Sequence, residues 1–231
     1  MKLRLASYNV HGCVGTDGAL DEARVARAIG ELGADAIGLQ EVPFQRTDEG
    51  GFGPLALLDG LPGYRAVCAP IERRDGVWHG NALLTRAPIA RAQSICLSVT
   101  QREPRTALEV ELSIDGQRCR VITTHLGLRP VERRYQVRAL LRHLACDREL
   151  VTVLLGDFNE WFLGGRPLRW LERYFGRGRA LATYPSRWPV FALDRVWVHP
   201  SAKLLAYRVA DAPTFRVASD HLPIVAEIAL A

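Results

Sequence analysis

Val151-Thr152-Val153-Leu154-Leu155-Gly156-Asp157-Phe158-Asn159-Glu160 sets a β-branched and leucine-rich run directly against a glycine and two polar side chains spaced two apart. A short, continuously apolar run closed by glycine reads as a strand buried on both faces. Here that strand is Val151 to Leu155, and Asp157 to Glu160 form the loop that follows it. Upstream, Leu108, Val110, Leu112 and Ile114 alternate with polar partners up to Asp115-Gly116, and Cys119 to Thr124 continues beyond, which predicts a hairpin with His125 at a strand end. Between the two, Pro130 suits the first turn of a helix running to about Cys146. Its Leu140, Leu141 and Leu144 face inward, and Arg133, Arg134, Arg138 and Arg142 face water.

Towards the N-terminus, Lys2 to Tyr8 alternates as a strand ending at Asn9, and Leu20 to Leu32 carries helical spacing behind Asp17-Gly18. Ala36 to Gln40 is a second strand that delivers Glu41; loops then occupy Pro43 to Gly63, and strands are expected at Tyr64 to Ala69 and Asn81 to Thr85. Towards the C-terminus, Pro167 to Phe175 reads as a short helix, with strands at Asp194 to Val198, Leu204 to Val209 and Ile224 to Leu230, the last preceded by Ser219-Asp220-His221. Nothing in the pattern splits the chain, so residues 1–231 are expected to be one domain and a monomer.

Composition narrows the class. No apolar stretch is long enough for a membrane span and no secretory leader opens the chain, so a cytoplasmic protein is expected. Cys13, Cys68, Cys96, Cys119 and Cys146 stand singly, which reads as reduced and mostly buried thiols rather than a disulfide scaffold. The net charge of +5 suits an anionic partner such as nucleic acid or a phospholipid surface. Lysine occurs only at Lys2 and Lys203, so the positive charge is almost entirely arginine.

The polar residues at the ends of apolar strands are Asn9, Glu41, His125, Asp157, Asn159, Asp194, Asp220 and His221. Carboxylates and amides are hard oxygen donors suited to Mg2+ or Mn2+, and histidines move protons near neutral pH. Each alone is ordinary turn chemistry; as an ordered set they describe a site.

The successive segments Ser7-Tyr8-Asn9-Val10-His11-Gly12, Leu39-Gln40-Glu41, Thr124-His125-Leu126, Gly156-Asp157-Phe158-Asn159 and Ser219-Asp220-His221 resemble the motifs of the endonuclease/exonuclease/phosphatase superfamily. Gly80-Asn81-Ala82, Pro104-Arg105-Thr106 and Leu193-Asp194-Arg195 add weaker matches. The resemblance implies an α/β (α+β) fold like that of deoxyribonuclease I: a four-layer αββα sandwich in which two packed mixed β-sheets are flanked by helices.

It also implies a divalent-metal-dependent phosphoesterase acting on phosphodiesters of nucleic acid or of a phospholipid headgroup. A phosphomonoesterase of a small metabolite or inositol phosphate is the alternative, and an inactive anion- or partner-binding module the remote one. The roles it implies are Glu41 as principal ligand of Mg2+, with Mn2+ able to substitute, Asn9 beside it, and Asp220 at a second ion. His221 is the general base oriented by Asp194, and Asp157 orients the water. Asn159 donates to a phosphate oxygen, and His125 stabilises the same oxygens or protonates the leaving group. Arg105 and Asn81 bind phosphate, with Arg102 the alternative to Arg105 three residues away; Trp161, Phe162 and Trp78 are expected at the substrate rim.

Overall fold

The computed structural model describes residues 1–46, 52–54, 61–74, 76–145 and 150–230; Cys146 and the expected end of its helix lie outside them. Twelve strands form two mixed sheets among these residues. In the first, the order is β11 (Leu204–Val209), β12 (Ile224–Ala229), β1 (Lys2–Asn9), β2 (Ala36–Arg46), β5 (Val77–Thr85) and β4 (Arg65–Arg74), with β3 (Phe52–Pro54) added on β2. In the second, it is β10 (Asp194–His199), β9 (Val151–Asp157), β8 (Gln117–His125), β7 (Thr106–Ile114) and β6 (Ile89–Cys96). Among the described residues, only β1 with β2 and β8 with β9 run parallel.

Helices cover both outer faces. α1 (Glu22–Leu32) starts where the Asp21 side chain accepts the Arg24 N–H and ends on Gly33 in the left-handed conformation. It buries Val25, Ile29 and Leu32 with Phe215 of α4 (Pro213–Ala218) against Tyr8, Ile37 and Leu84 of the first sheet. α2 (Pro130–Leu144) and α3 (Arg166–Phe175) bury Val137, Leu140, Leu168 and Leu171 against Ile122, Leu154 and Trp197 of the second. Between the sheets lie Leu5, Leu83, Val121, Val153, Leu155 and Ile228. The order of layers is therefore helix, sheet, sheet, helix, as the motifs implied.

The differences from expectation have local causes. β2 continues through Pro43 to Arg46, and β3 lies in what reads as loop, because Pro43 interrupts the sequence signal without ending the pairing with β5. β6 has no clear apolar alternation because it is the sheet's edge and most of its side chains meet water. Six residues of α4 are too few for helical periodicity to register. Cys13 and Cys119 are buried, but Cys68 is only half-buried and Cys96 is exposed on that edge strand.

Arg133 corrects the expectation of a wet arginine face. It is one of the largest fully buried side chains. Its guanidinium meets Glu160 through Nε to Oε2 at 3.1 Å and Nη2 to Oε1 at 3.3 Å, and its Nη1 donates to the carbonyls of Gly127 and Leu128. The pair ties the start of α2 to the turn after β9.

Candidate active site

Strand alternation aims the site. Leu5 and Ser7 of β1, Val121 and Thr123 of β8, Val153 and Leu155 of β9, and Val196 of β10 share a parity with Asn9, His125, Asp157 and Asp194 respectively. The side chains that pack the sheets together are thus followed, at the same ends of their strands, by polar ones. Glu41 departs from this rule. By alternation with the inter-sheet Gln40 it belongs on the α1 face, but the register of β2 against β5 shifts between Leu39 and Val42 and Glu41 takes φ 56°. The extra residue is a β-bulge that re-aims the carboxylate into the cleft.

A buried line of hydrogen bonds runs into the cleft from behind. Thr183 Oγ1 donates to Asp194 Oδ2 at 2.6 Å, and the same oxygen meets His221 Nδ1 at 2.8 Å. On the far side of the ring, Nε2 lies 3.7 Å from Asp157 Oδ2. Burial disfavours a charged His221, but Asp194, Asp157 and the bond to Asp194 outweigh it and raise the pKa to about 10. Asp157 is pushed up to about 6, chiefly by burial and against the pull of His221. Tyr184 lies tilted over the His221 ring with centroids 4.9 Å apart.

On the other side of Asp157, the Asn9 amide nitrogen donates to both Asp157 Oδ2 and Glu41 Oε1, each at 3.1 Å, while Asn9 Oδ1 accepts the His11 N–H at 3.0 Å. Asn9 therefore bridges two carboxylates. Asn159, at φ 48°, gives its N–H to Asp157 Oδ1 at 2.9 Å, a local turn that asparagine favours. Its amide nitrogen meets both Leu126 O and His125 Nε2 at 2.9 Å. The Asn159 amide thus sits between the Leu126 carbonyl and the His125 ring in the cleft wall. The other ring nitrogen of His125, Nδ1, lies 3.9 Å from Glu41 Oε1.

These groups open into a cleft of about 300 Å³ whose walls include Glu41, Asn81, Arg105, His125, Asp157, Asn159, Asp220 and His221. Arg105 lines it, with its fork held by Glu103 at 2.8 and 2.9 Å, whereas Arg102 turns to Glu132 in an adjoining hollow. The Asn81 amide nitrogen donates to Thr106 O, leaving Oδ1 as the buried atom with no partner among the described residues. Asp220 sits at the mouth, 3.8 Å from His11.

Of the expected rim, Trp161 lines the cleft, edge-on to Tyr184 and Phe191. Phe162 and Trp78 do not line it. Phe162 turns out to water as the chain reverses towards Gly165, and Trp78 falls on the α1 face of β5, packed on Phe52. Thr183 and Tyr184 join the site without having been foreseen, and His79 beside Trp78 lines the cleft. The first two come from an irregular stretch with no periodicity to read, and His79 shares the strand parity of Asn81.

The donor set fits a divalent cation. Two carboxylates drawn together by one amide at the end of a cleft are hard ligands whose mutual repulsion a cation would relieve. Asp157, Asp194 and His221 also bring ligand atoms within 4.8 Å of one another. Asp194 Oδ2 is already occupied by Thr183 and His221, so that trio is better suited to orienting an imidazole, and Glu41 with Asp157 to holding the ion.

Comparison with known proteins places the fold and the family. The chain is 36% identical over 162 residues to the uncharacterized protein YbhP of Escherichia coli (strain K12), an alignment that covers 66% of this chain and 63% of that protein. The chain thus matches less than two thirds of YbhP's length. Its fold is similar to that of an endonuclease/exonuclease/phosphatase from Beutenbergia cavernae DSM 12333, with a TM-score of 0.80, 22% identity and coverage of 100% of this chain and 72% of that one. It is also similar to D. rerio TDP2 complexed with a single-strand DNA product, with a TM-score of 0.71, 18% identity and 99% of each chain covered. The Endonuclease/Exonuclease/phosphatase family matches over residues 6–221, and the chain belongs to it.

Proposed function

We propose that the chain is a divalent-metal-dependent phosphoric ester hydrolase that cleaves phosphodiester bonds in nucleic acid or in a phospholipid headgroup. The observation that carries this reading is the Thr183–Asp194–His221 line ending beside Asp157, with Glu41 tied to the same aspartate through Asn9. Such an arrangement suits in-line attack of water on phosphorus.

Glu41 and Asp157 would hold Mg2+, with Mn2+ an acceptable substitute, and Asp220 stands at the mouth for a second ion. When bound there, the cation would supply positive charge that offsets the phosphate and disfavours a second positive charge on His221. His221 Nε2 then takes the proton of the attacking water, while Asp194 retains Nδ1–H and stabilises the charge that forms. Asp157 orients that water. His125 stabilises the phosphate oxygens or protonates the departing oxygen. Arg105 sets positive charge beside the phosphate, and Asn81 Oδ1 accepts from a substrate hydroxyl or bound water. Trp161 forms one wall for the group that leaves.

The test is hydrolysis of bis-p-nitrophenyl phosphate and plasmid DNA with Mg2+ or Mn2+. Activity should vanish in EDTA and fall at least about 10²-fold in His221→Ala; equal rates in variant and parent would remove His221 as the base. Glu41→Gln should shift the Mg2+ titration, and an unchanged curve would take Glu41 off the ligand set.

A further inference from the structure

We infer that the mouth of the cleft is a docking surface for an anionic phospholipid bilayer. Eight of the thirteen large hydrophobic side chains that the described residues expose fall in three short segments: Leu128 and Val131 at the start of α2, Trp161, Phe162 and Leu163 after β9, and Trp188, Val190 and Phe191 in the turn between Thr183 and Asp194. Trp188 is 80% exposed and Phe162 73%, values that leave these rings with almost no packing partner. Scattered exposed apolar residues need no explanation, but a cluster around one opening does.

Each of the three segments contains or is bonded to a residue of the cleft wall. Leu128 and Trp161 line the cleft itself. Trp161 packs edge-on against Tyr184 and Phe191 with centroids 5.8 and 4.8 Å apart, and the backbone bond from Val190 N to Tyr184 O closes the turn that carries Trp188. The buried Arg133–Glu160 pair fixes the start of α2 to the Phe162 turn. Apolar tips held on a tied framework present a fixed surface to a partner rather than three independent loops.

Charge selects the partner. Exposed Arg129, Arg166 and Arg187 fall within or within three residues of the three apolar segments in the chain. Aromatic and aliphatic tips with arginines beside them match the boundary between acyl chains and anionic headgroups. A single nucleic acid strand is the other anionic candidate, and it stacks bases on flat rings; Leu128, Val131, Leu163 and Val190 offer no such faces. A bilayer seated here would present headgroup phosphates to the cleft.

Binding can be read without turnover, so it stands apart from the hydrolase reading. The full chain is sedimented with vesicles of phosphatidylcholine alone and of phosphatidylcholine mixed with phosphatidylglycerol, in EDTA, and tryptophan emission is recorded. The protein should pellet with the mixed vesicles, less so at high salt, with a blue shift that Trp188→Phe diminishes. Trp188→Ser and Phe162→Ser should each weaken partitioning roughly 10-fold or more, the loss expected for one large apolar side chain, and Arg187→Glu should weaken it on mixed vesicles. Because Trp188 and Phe162 lie outside the core, unchanged thermal melts will show that the variants are folded. The inference is overturned if the parent stays in the supernatant with mixed vesicles, if both serine variants pellet as the parent does, or if single-stranded oligonucleotide is bound through Trp188 and vesicles are not.

Discussion

Replacing Arg133 by methionine keeps an unbranched stem and removes the guanidinium with its charge. Arg133 and Glu160 are 2% and 4% exposed, so the variant leaves a carboxylate sealed from water without its counter-ion. Removing one partner of a buried pair costs about 3–5 kcal/mol, and the carbonyls of Gly127 and Leu128 lose a donor as well. In a chain of 231 residues, each kcal/mol moves the melting temperature by about 2–4 °C, so Arg133→Met should melt about 6–20 °C below the parent. Thermal circular dichroism and urea titration both read this. The companion Arg133→Met/Glu160→Met removes both charges at once and should recover at least half of the loss, since apolar replacement of a whole pair is often close to neutral. A single variant within about 1 kcal/mol of the parent, or a double variant no more stable than the single, would refute the view that this pair is a sealed charge contact.

Three further outcomes are expected. Thr183→Val deletes the hydroxyl on Asp194, which should lower kcat about 10-fold or more and cost about 1–3 kcal/mol; steady-state kinetics beside a urea midpoint checks both. Gly156 has φ 144° and a Cβ there would collide with the Thr124 carbonyl oxygen, so Gly156→Ala should lose at least about 2 kcal/mol in urea. His221, raised from 6.5 to about 10, holds a proton in the folded state that the unfolded chain releases. Its contribution is complete below pH 6.5 and is lost as pH rises through about 10. In EDTA the parent should therefore lose stability between neutral pH and pH 10 relative to His221→Asn, and NMR of the ring should show its titration moving to lower pH when Mg2+ is added.

Much of the site was legible because polar residues at strand ends obey the same alternation as the core. Asn9, His125, Asp157 and Asp194 continue the inward parity of their strands, so reading the core also reads them. Glu41 could be placed only by its motif, since the bulge that turns it inward depends on how β2 registers against β5 and not on local pattern. Asn159 shows a different limit: its motif names the residue, but its contacts with Leu126 and His125 are a matter of three-dimensional neighbours. Thr183 and Tyr184 were invisible because they lie on an irregular segment brought to His221 by tertiary packing. Arg133 misled because a helical arginine reads as solvated until a buried Glu160 from another segment is opposite it.

The shared parity has an evolutionary and practical corollary. A slip of one residue in the pairing of β9 would swing Asp157 out to the α2 and α3 layer while Val153 and Leu155 left the interior. A misaligned chain would be inert and sticky together, so soluble recovery should track specific activity across mutants of these strands. A functional screen of strand libraries would in that case also sort them by folding.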